Sequence, residues 1–260
     1  MDELEPVYQA SADRRDHLLA HRLAAAAGDM LRTLRAEAGS ADSAGLGGEG
    51  DRRSDDFLHS ELAAQRPGDA VLSEESLDDL SRLRASRVWI IDPLDGTREF
   101  AEPGRTDWAV HVALWADGAL AAGAVALPAQ GRVLSTLQPG DLGADPQRRV
   151  ILVSRSRPPA LVGRIAEEWR ARVLPMGSAG AKTVAVLSGI GSAYLHAGGQ
   201  FEWDSAAPVA VALAHGLRVR RLDGSPPRYN NPDPALPDLV VCRPSGSDEL
   251  WAILDDAGAD

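Results

Sequence analysis

The sequence predicts a mixed α/β protein in two parts: helices on a largely antiparallel sheet over residues 1–147, then an α/β part over residues 148–260. Three observations predict it. Leu19, Leu23, Ala27, Met30 and Leu34 recur every three or four positions, as one stripe of a long helix does. Trp108, Val110, Val112 and Leu114 alternate with Ala109, His111 and Ala113 up to an Asp117-Gly118 turn, the pattern of a strand entering a hairpin. From about residue 148 onward, short apolar runs take turns with helical stretches.

The elements follow in order. Gly39 stops the first helix, and residues 40–50, rich in Gly, Ser and Ala, read as a loop. A second helix fits residues 51–65, with Phe57, Leu58 and Leu62 on one face and Pro67 just past its end. Strands are expected at 70–73, 87–91, 108–114, 120–127 and 132–136. A Gly, Pro and Asp-rich stretch near 140–146 marks the boundary. Beyond it come strand 149–154, helix 159–172, helix 182–189, strand 192–196, helix 205–215, strands 217–222 and 239–242, and a last helix over 247–256.

The chain has 260 residues, 44% hydrophobic and 25% charged, which excludes disorder and a small disulfide-stapled fold. Its formal charge is −11 and no run of like charge offers an arm for nucleic acid or a membrane. The single cysteine, Cys242, permits no intrachain disulfide and suits a reducing cytoplasm. The acidic start Met1-Asp2-Glu3 is unlike a secretory signal, and glycines interrupt the longest uncharged stretch, 183–201, where a membrane helix would be continuous. A soluble cytoplasmic protein is expected.

The chemistry concentrates in Trp89-Ile90-Ile91-Asp92-Pro93-Leu94-Asp95-Gly96-Thr97. An apolar strand that ends in two carboxylates is costly to bury unless a cation takes the charge. Pro93 fixes its own backbone angle and Gly96 permits an unusual one, so Asp92, Asp95 and the Leu94 carbonyl converge just past the strand. Hard oxygens so placed suit Mg²⁺. The same composition makes an ordinary turn. Two residues between the aspartates argue against phosphatases that use the first aspartate of Asp-x-Asp as nucleophile, and the spacing excludes an EF-hand. His17 and His21, one helical turn apart, lack a third ligand and are left as surface or packing residues.

This segment resembles the first signature of the Mg²⁺-dependent, lithium-sensitive phosphatases that include inositol monophosphatase and fructose-1,6-bisphosphatase. Ser73-Glu74-Glu75 resembles that family's Glu-Glu pair, and Trp203-Asp204-Ser205-Ala206-Ala207-Pro208 its second signature. The likeness runs from about Leu19 to the C-terminus. It implies a layered αβαβα sandwich and two or three Mg²⁺ per site. Glu74, Asp92 and the Leu94 carbonyl would hold the ion that activates water; Asp92, Asp95 and Asp204 would hold the one facing the leaving oxygen. Catalysis would fall to Glu74 and to Thr97, polarised by an upstream aspartate. Where the family carries Thr-x-x-Asp this chain reads Gly48-Glu49-Gly50-Asp51, which makes Asp51 the candidate, held by a loop, with Asp55 and Asp56 as alternatives.

Three segments point to the branch that hydrolyses 3′-phosphoadenosine 5′-phosphate. They are Arg98-Glu99-Phe100 directly after Gly96 and Thr97, Gly177-Ser178-Ala179-Gly180-Ala181-Lys182, and Ser154-Arg155-Ser156-Arg157. The second is a small-residue loop opening a helix whose free N–H groups suit an anion. The resemblance thus implies substrate contacts from Gly96, Thr97, Arg98, Glu99, Ser154, Arg155, Gly177, Ser178, Lys182 and Asp204, a phosphorylated nucleotide as partner, and a homodimer. The rival activities are an inositol-1-monophosphatase, a fructose-1,6-bisphosphatase, and a catalytically weak nucleotide-binding regulator.

Overall fold

The computed structural model describes residues 7–9, 12–38 and 45–257. Helices α1 (Arg14–Ala38) and α2 (Leu46–Gln65) come first. Leu19, Leu23, Ala27, Leu31 and Leu34 form the buried stripe of α1, with Leu31 taking the place expected for Met30. Gly39 lies outside the described residues, as does the first part of the expected loop. Its later part is helical: α2 starts at Leu46, five residues before the expected start. The reason is tertiary, because a Cβ on Gly47 would come 2.6 Å from Thr97 Cγ2, and one on Gly50 2.9 Å from Leu94 and Phe100. Glycine costs helix propensity there and permits close approach.

The first sheet has the order β1 (Ala70–Ser73), β2 (Arg87–Asp95), β3 (Ala109–Ala116), β4 (Ala119–Leu127), β5 (Arg132–Ser135). β1 pairs parallel to β2 and the other neighbours pair antiparallel. Asp117 and Gly118 both have positive φ, 50° and 95°, as the tight hairpin between β3 and β4 requires. β2 runs on through the Asp92-Pro93-Leu94-Asp95 segment with an irregularity: Asp92 pairs with His111 but Asp95 with Ala109. Three steps on β2 thus face two on β3. Residues three apart on a regular strand point to opposite faces; one extra residue puts Asp92 and Asp95 on the same face.

The second sheet has the order β7 (Arg172–Met176), β6 (Val150–Ser154), β8 (Ala193–Phe201), β10 (Ala235–Cys242), β9 (Arg218–Arg220). Its helices are α4 (Val162–Glu168), α5 (Ala179–Leu187), α6 (Glu202–Ala214) and α7 (Pro244–Ala257), while the short α3 (Thr97–Ala101) follows β2. The expected helix 159–172 is shorter, and β7, an edge strand with Pro175 in it, was not anticipated. β8 continues through Gly198 and Gly199, both at positive φ, where the sequence reading ends the strand. α6 opens at Glu202, three residues before the expected start, so Asp204 sits in its first turn.

Apolar contacts define the layering. α1 and α2 cover one face of the first sheet. α5 and α6 share a core with its other face and with Leu152, Tyr194 and Val241 of the second sheet. α4 and α7 close that sheet from outside, around the fully buried Trp169 and Leu250. The stack is αβαβα, and a carboxylate-rich cleft opens where β2, α5 and α6 meet.

Candidate active site

The bulge at the end of β2 builds the site's centre. Asp92 is 1% exposed. Its Oδ1 accepts from Leu94 N at 3.0 Å, and its buried Oδ2 has no hydrogen-bond partner. Burial and the nearby Glu74 and Asp95 push its pKa well above the carboxylate range. His111, across on β3, places Nδ1 3.8 Å from Asp92 Oδ2 and 3.2 Å from the Trp203 carbonyl. Its Nε2 lies 3.2 Å from Asp95 Oδ2 without hydrogen-bond alignment. Burial lowers the His111 pKa.

Two further acids crowd this centre. Burial and repulsion from Asp95 push Asp204 up to about 7, even though its Oδ2 accepts from Phe201 N at 2.7 Å. Glu74, just past β1, is pushed up to about 8 by the surrounding protein and by repulsion from Asp204, Asp95 and Asp51. Its surface stays open to water, which tempers the first of these causes. Donor atoms of Asp92, Asp95 and His111 lie within 4.8 Å of one another. An unpartnered buried carboxylate oxygen among acids that resist ionising together is satisfied by a cation, so the residues present fit a metal.

The Gly177 to Lys182 segment behaves differently from the expected open anion loop. Asp95 Oδ2 accepts from Ser178 Oγ at 2.6 Å and from Gly180 N at 3.1 Å. Gly177 N donates to Asp107 Oδ2 at 2.7 Å, and Ala181 N to Ser178 Oγ at 3.0 Å. The N–H groups of Gly177, Gly180 and Ala181 are therefore taken by the protein's own carboxylates and cap. Ser178 holds φ at 44°, a strained angle for a residue with a Cβ. Buried Lys182 donates to the carbonyls of Gly177 at 3.1 Å and Ser178 at 2.8 Å, and burial lowers its pKa to about 8. No side chain fits at Gly180, where a Cβ would meet His111 Nε2 at 2.2 Å.

Thr97 opens α3 after Gly96, whose φ is 93°. Its Oγ1 lies 3.3 Å from Asp51 Oδ1 and 3.2 Å from the Leu94 carbonyl. Asp51 is held on the second turn of α2, not by a loop. Burial and Glu75 push its pKa up to about 7 against the Thr97 bond. Asp55 faces elsewhere: it accepts from Ser73 Oγ at 2.5 Å and Ser76 Oγ at 3.1 Å, pinning the turn that carries Glu74. Asp56 is exposed.

Together these groups wall a cleft of about 640 Å³. Glu74, Asp92, Leu94, Asp95 and Asp204 line it, as do Gly96, Arg98, Glu99, Ser154, Arg155, Gly177, Ser178 and Lys182; Asp51 stands behind Thr97. Buried Glu99 takes Arg155 Nε at 3.0 Å, while Arg98 is exposed. The sequence reading missed His111, buried against Asp92 and Asp95, and the β8 residues Tyr194, His196 and Gln200, which line the cleft. Gln200 donates to the Tyr194 hydroxyl at 2.7 Å; burial and Lys182 lower His196 to about 4, so it is neutral. Polar residues at alternate positions 194, 196 and 200 are the signal that could have found them.

Two sheets separated by helices, with clustered carboxylates at a bulged strand end, define a class of metal-dependent phosphoric monoester hydrolases. The chain belongs to the inositol monophosphatase family, whose family model matches residues 13–253. Within it, the chain is 52% identical over 254 residues to the 3′-phosphoadenosine 5′-phosphate phosphatase of Mycobacterium leprae, covering 90% of this chain and 94% of that protein. In fold it is similar to inositol monophosphatase II of Staphylococcus aureus (TM-score 0.77, 21% identity, 95% of this chain and 98% of that one). It is similar also to CysQ of Bacteroides thetaiotaomicron (TM-score 0.74, 24% identity, 88% and 97%). Among the described residues no helix is long and apolar enough to cross a membrane.

Proposed function

We propose that this chain hydrolyses the 3′-phosphate of 3′-phosphoadenosine 5′-phosphate, releasing AMP and phosphate, with Mg²⁺ as its metal. The observation that carries the reading is the end of β2. A buried, unpartnered Asp92 oxygen sits there among Glu74, Asp95 and Asp204, in a chain 52% identical to a phosphatase named for this substrate. Carboxylate and carbonyl oxygens are the donors Mg²⁺ prefers. In this reading Glu74, Asp92, the Leu94 carbonyl, Asp95 and Asp204 would hold two or three ions. The ions supply Lewis-acid activation of water and neutralise charge on the transferred phosphoryl group.

The chain's own residues do the rest. Thr97 Oγ1 takes a proton from the attacking water as it passes its own to Asp51, and a carboxylate with a pKa near 7 is matched to that work at neutral pH. Glu74, at the rim, orients the water. Gly96, Arg98, Glu99, Ser154, Arg155, Gly177, Ser178 and Lys182 receive the nucleotide. Glu99 orients the Arg155 guanidinium towards the second phosphate, and Lys182, anchored by carbonyls, adds fixed positive charge. The same reading takes the protein to be cytoplasmic, on the strength of its single buried Cys242, and homodimeric, which sedimentation tests.

Phosphate release from the adenosine bisphosphate, inositol-1-phosphate and fructose-1,6-bisphosphate, with and without Mg²⁺, is the decisive assay. The highest kcat/KM is expected for the adenosine bisphosphate. A better rate on either sugar phosphate overturns the substrate, and binding of the nucleotide with no turnover of any ester leaves a regulator.

A further inference from the structure

Arg82 is a charged side chain with 1% exposure, outside the cleft. Its Nε and Nη2 donate to Asp78 Oδ2 at 3.0 and 2.7 Å, its Nη1 to Asn230 Oδ1 at 2.7 Å, and its Nη2 also to the Asn231 carbonyl at 2.8 Å. The chain of bonds continues: Asn230 N donates to Glu202 Oε2 at 2.7 Å, and Asn231 N and Nδ2 both donate to Glu202 Oε1 at 2.8 Å. Glu202 is fully buried. The same loop reaches α6 once more, through Tyr229 and Ser205, whose hydroxyls lie 3.2 Å apart.

The endpoints give this network its meaning. Asp78 follows Glu74 by four residues, on the loop between β1 and β2, while Glu202 precedes Asp204 by two on α6. Glu74 and Asp204 come from separate sheets' connections and repel each other across the cleft. A planar guanidinium that grips Asp78 and both asparagines at once is a rigid spacer, which the single-point ammonium of lysine is not. We propose that Arg82, with Asn230, Asn231 and Glu202, is a positioning strut that sets the spacing between Glu74 and Asp204 and thereby the cleft's affinity for its divalent cation. This rests on the reading that Glu74 and Asp204 hold that cation.

Calorimetric titration of the metal-free protein with MgCl₂, no substrate present, tests it. Arg82→Lys and Glu202→Gln are each expected to raise the Mg²⁺ Kd about 10-fold, the usual worth of a group that orients a metal ligand, at a temperature where both variants are folded. A purely structural role lowers Tm equally with and without Mg²⁺ and leaves Kd alone. A Kd within twofold of the parent in either folded variant overturns the strut. Should both variants fail to fold, hydrogen exchange on the unaltered protein decides. Mg²⁺ is expected to slow the Asn230 and Asn231 amides more than those of α7, and equal slowing overturns the proposal. A parent protein that binds no Mg²⁺ defeats the metal reading itself, an outcome separate from a parent that binds it and variants that bind as well.

Discussion

Asp51→Asn is expected to make the enzyme slower and, without metal, more stable. The variant keeps the size of the side chain and the 3.3 Å approach to Thr97, but it cannot take a proton. Loss of a general base lowers kcat by about 10²- to 10⁴-fold with smaller change in KM, or about 3–5 kcal/mol of barrier. The stability effect comes from the same position. Burial raises Asp51 from 3.8 to about 7, which is worth at most about 4 kcal/mol against the folded state; solvent reaches part of the carboxylate and screening reduces this to about 1–2 kcal/mol. The neutral acid is the one favoured by folding. The cost is therefore absent below pH 3.8, grows as pH rises towards about 7, and is complete above that. Asparagine never carries the charge, so melting in EDTA at pH 8 should show Asp51→Asn above the parent by a few degrees, with the gap closing at pH 4. Steady-state kinetics at saturating Mg²⁺ gives the other half. A kcat within threefold of the parent refutes the proton relay, as does an equal loss of kcat in Asp56→Asn, whose side chain is exposed.

Asp95→Asn, which keeps its bonds from Ser178 and Gly180 but loses a charge, should lower turnover at least about 100-fold, and the parent should lose activity in EDTA and be inhibited by Li⁺; substantial turnover in chelator would contradict the metal reading. Gly180→Ala puts a methyl 2.2 Å from His111 Nε2, so it should lower Tm and turnover together, and a variant with parental Tm and kcat would show that this contact yields freely.

Legibility from sequence followed distance along the chain. The segment from Trp89 to Thr97 carries its chemistry within nine consecutive residues, so strand, turn and paired carboxylates could be read together. The five-layer stack was legible through the family resemblance more than through periodicity. What escaped depended on contacts between distant residues. Gly47 and Gly50 look like loop because their helix is stabilised by what they touch, Thr97, Leu94 and Phe100. β7 has half-exposed residues and a proline, and only its pairing with β6 makes it a strand. His111 looked like one position in an alternating strand; its neighbours Asp92 and Asp95 come from the opposite strand's bulge.

The extra residue in β2 between Asp92 and Asp95 also bears on how this chain tolerates change. Because side chains alternate, the two carboxylates meet through a count and not through the identity of Pro93 or Leu94. Substitutions at those two positions alter local shape; one residue more turns Asp95 into the opposite layer, away from Ser178, Gly180 and His111, and one fewer keeps the shared face but removes the bulge whose Leu94 N–H and carbonyl hold Asp92 and Thr97. The four-letter stretch thus acts like a frame: exchange of letters is negotiable and a change in their number is fatal to catalysis. Diversity among working descendants of this chain should accumulate here by replacement alone, while the surface turn at Asp117-Gly118 has room for length variants as well.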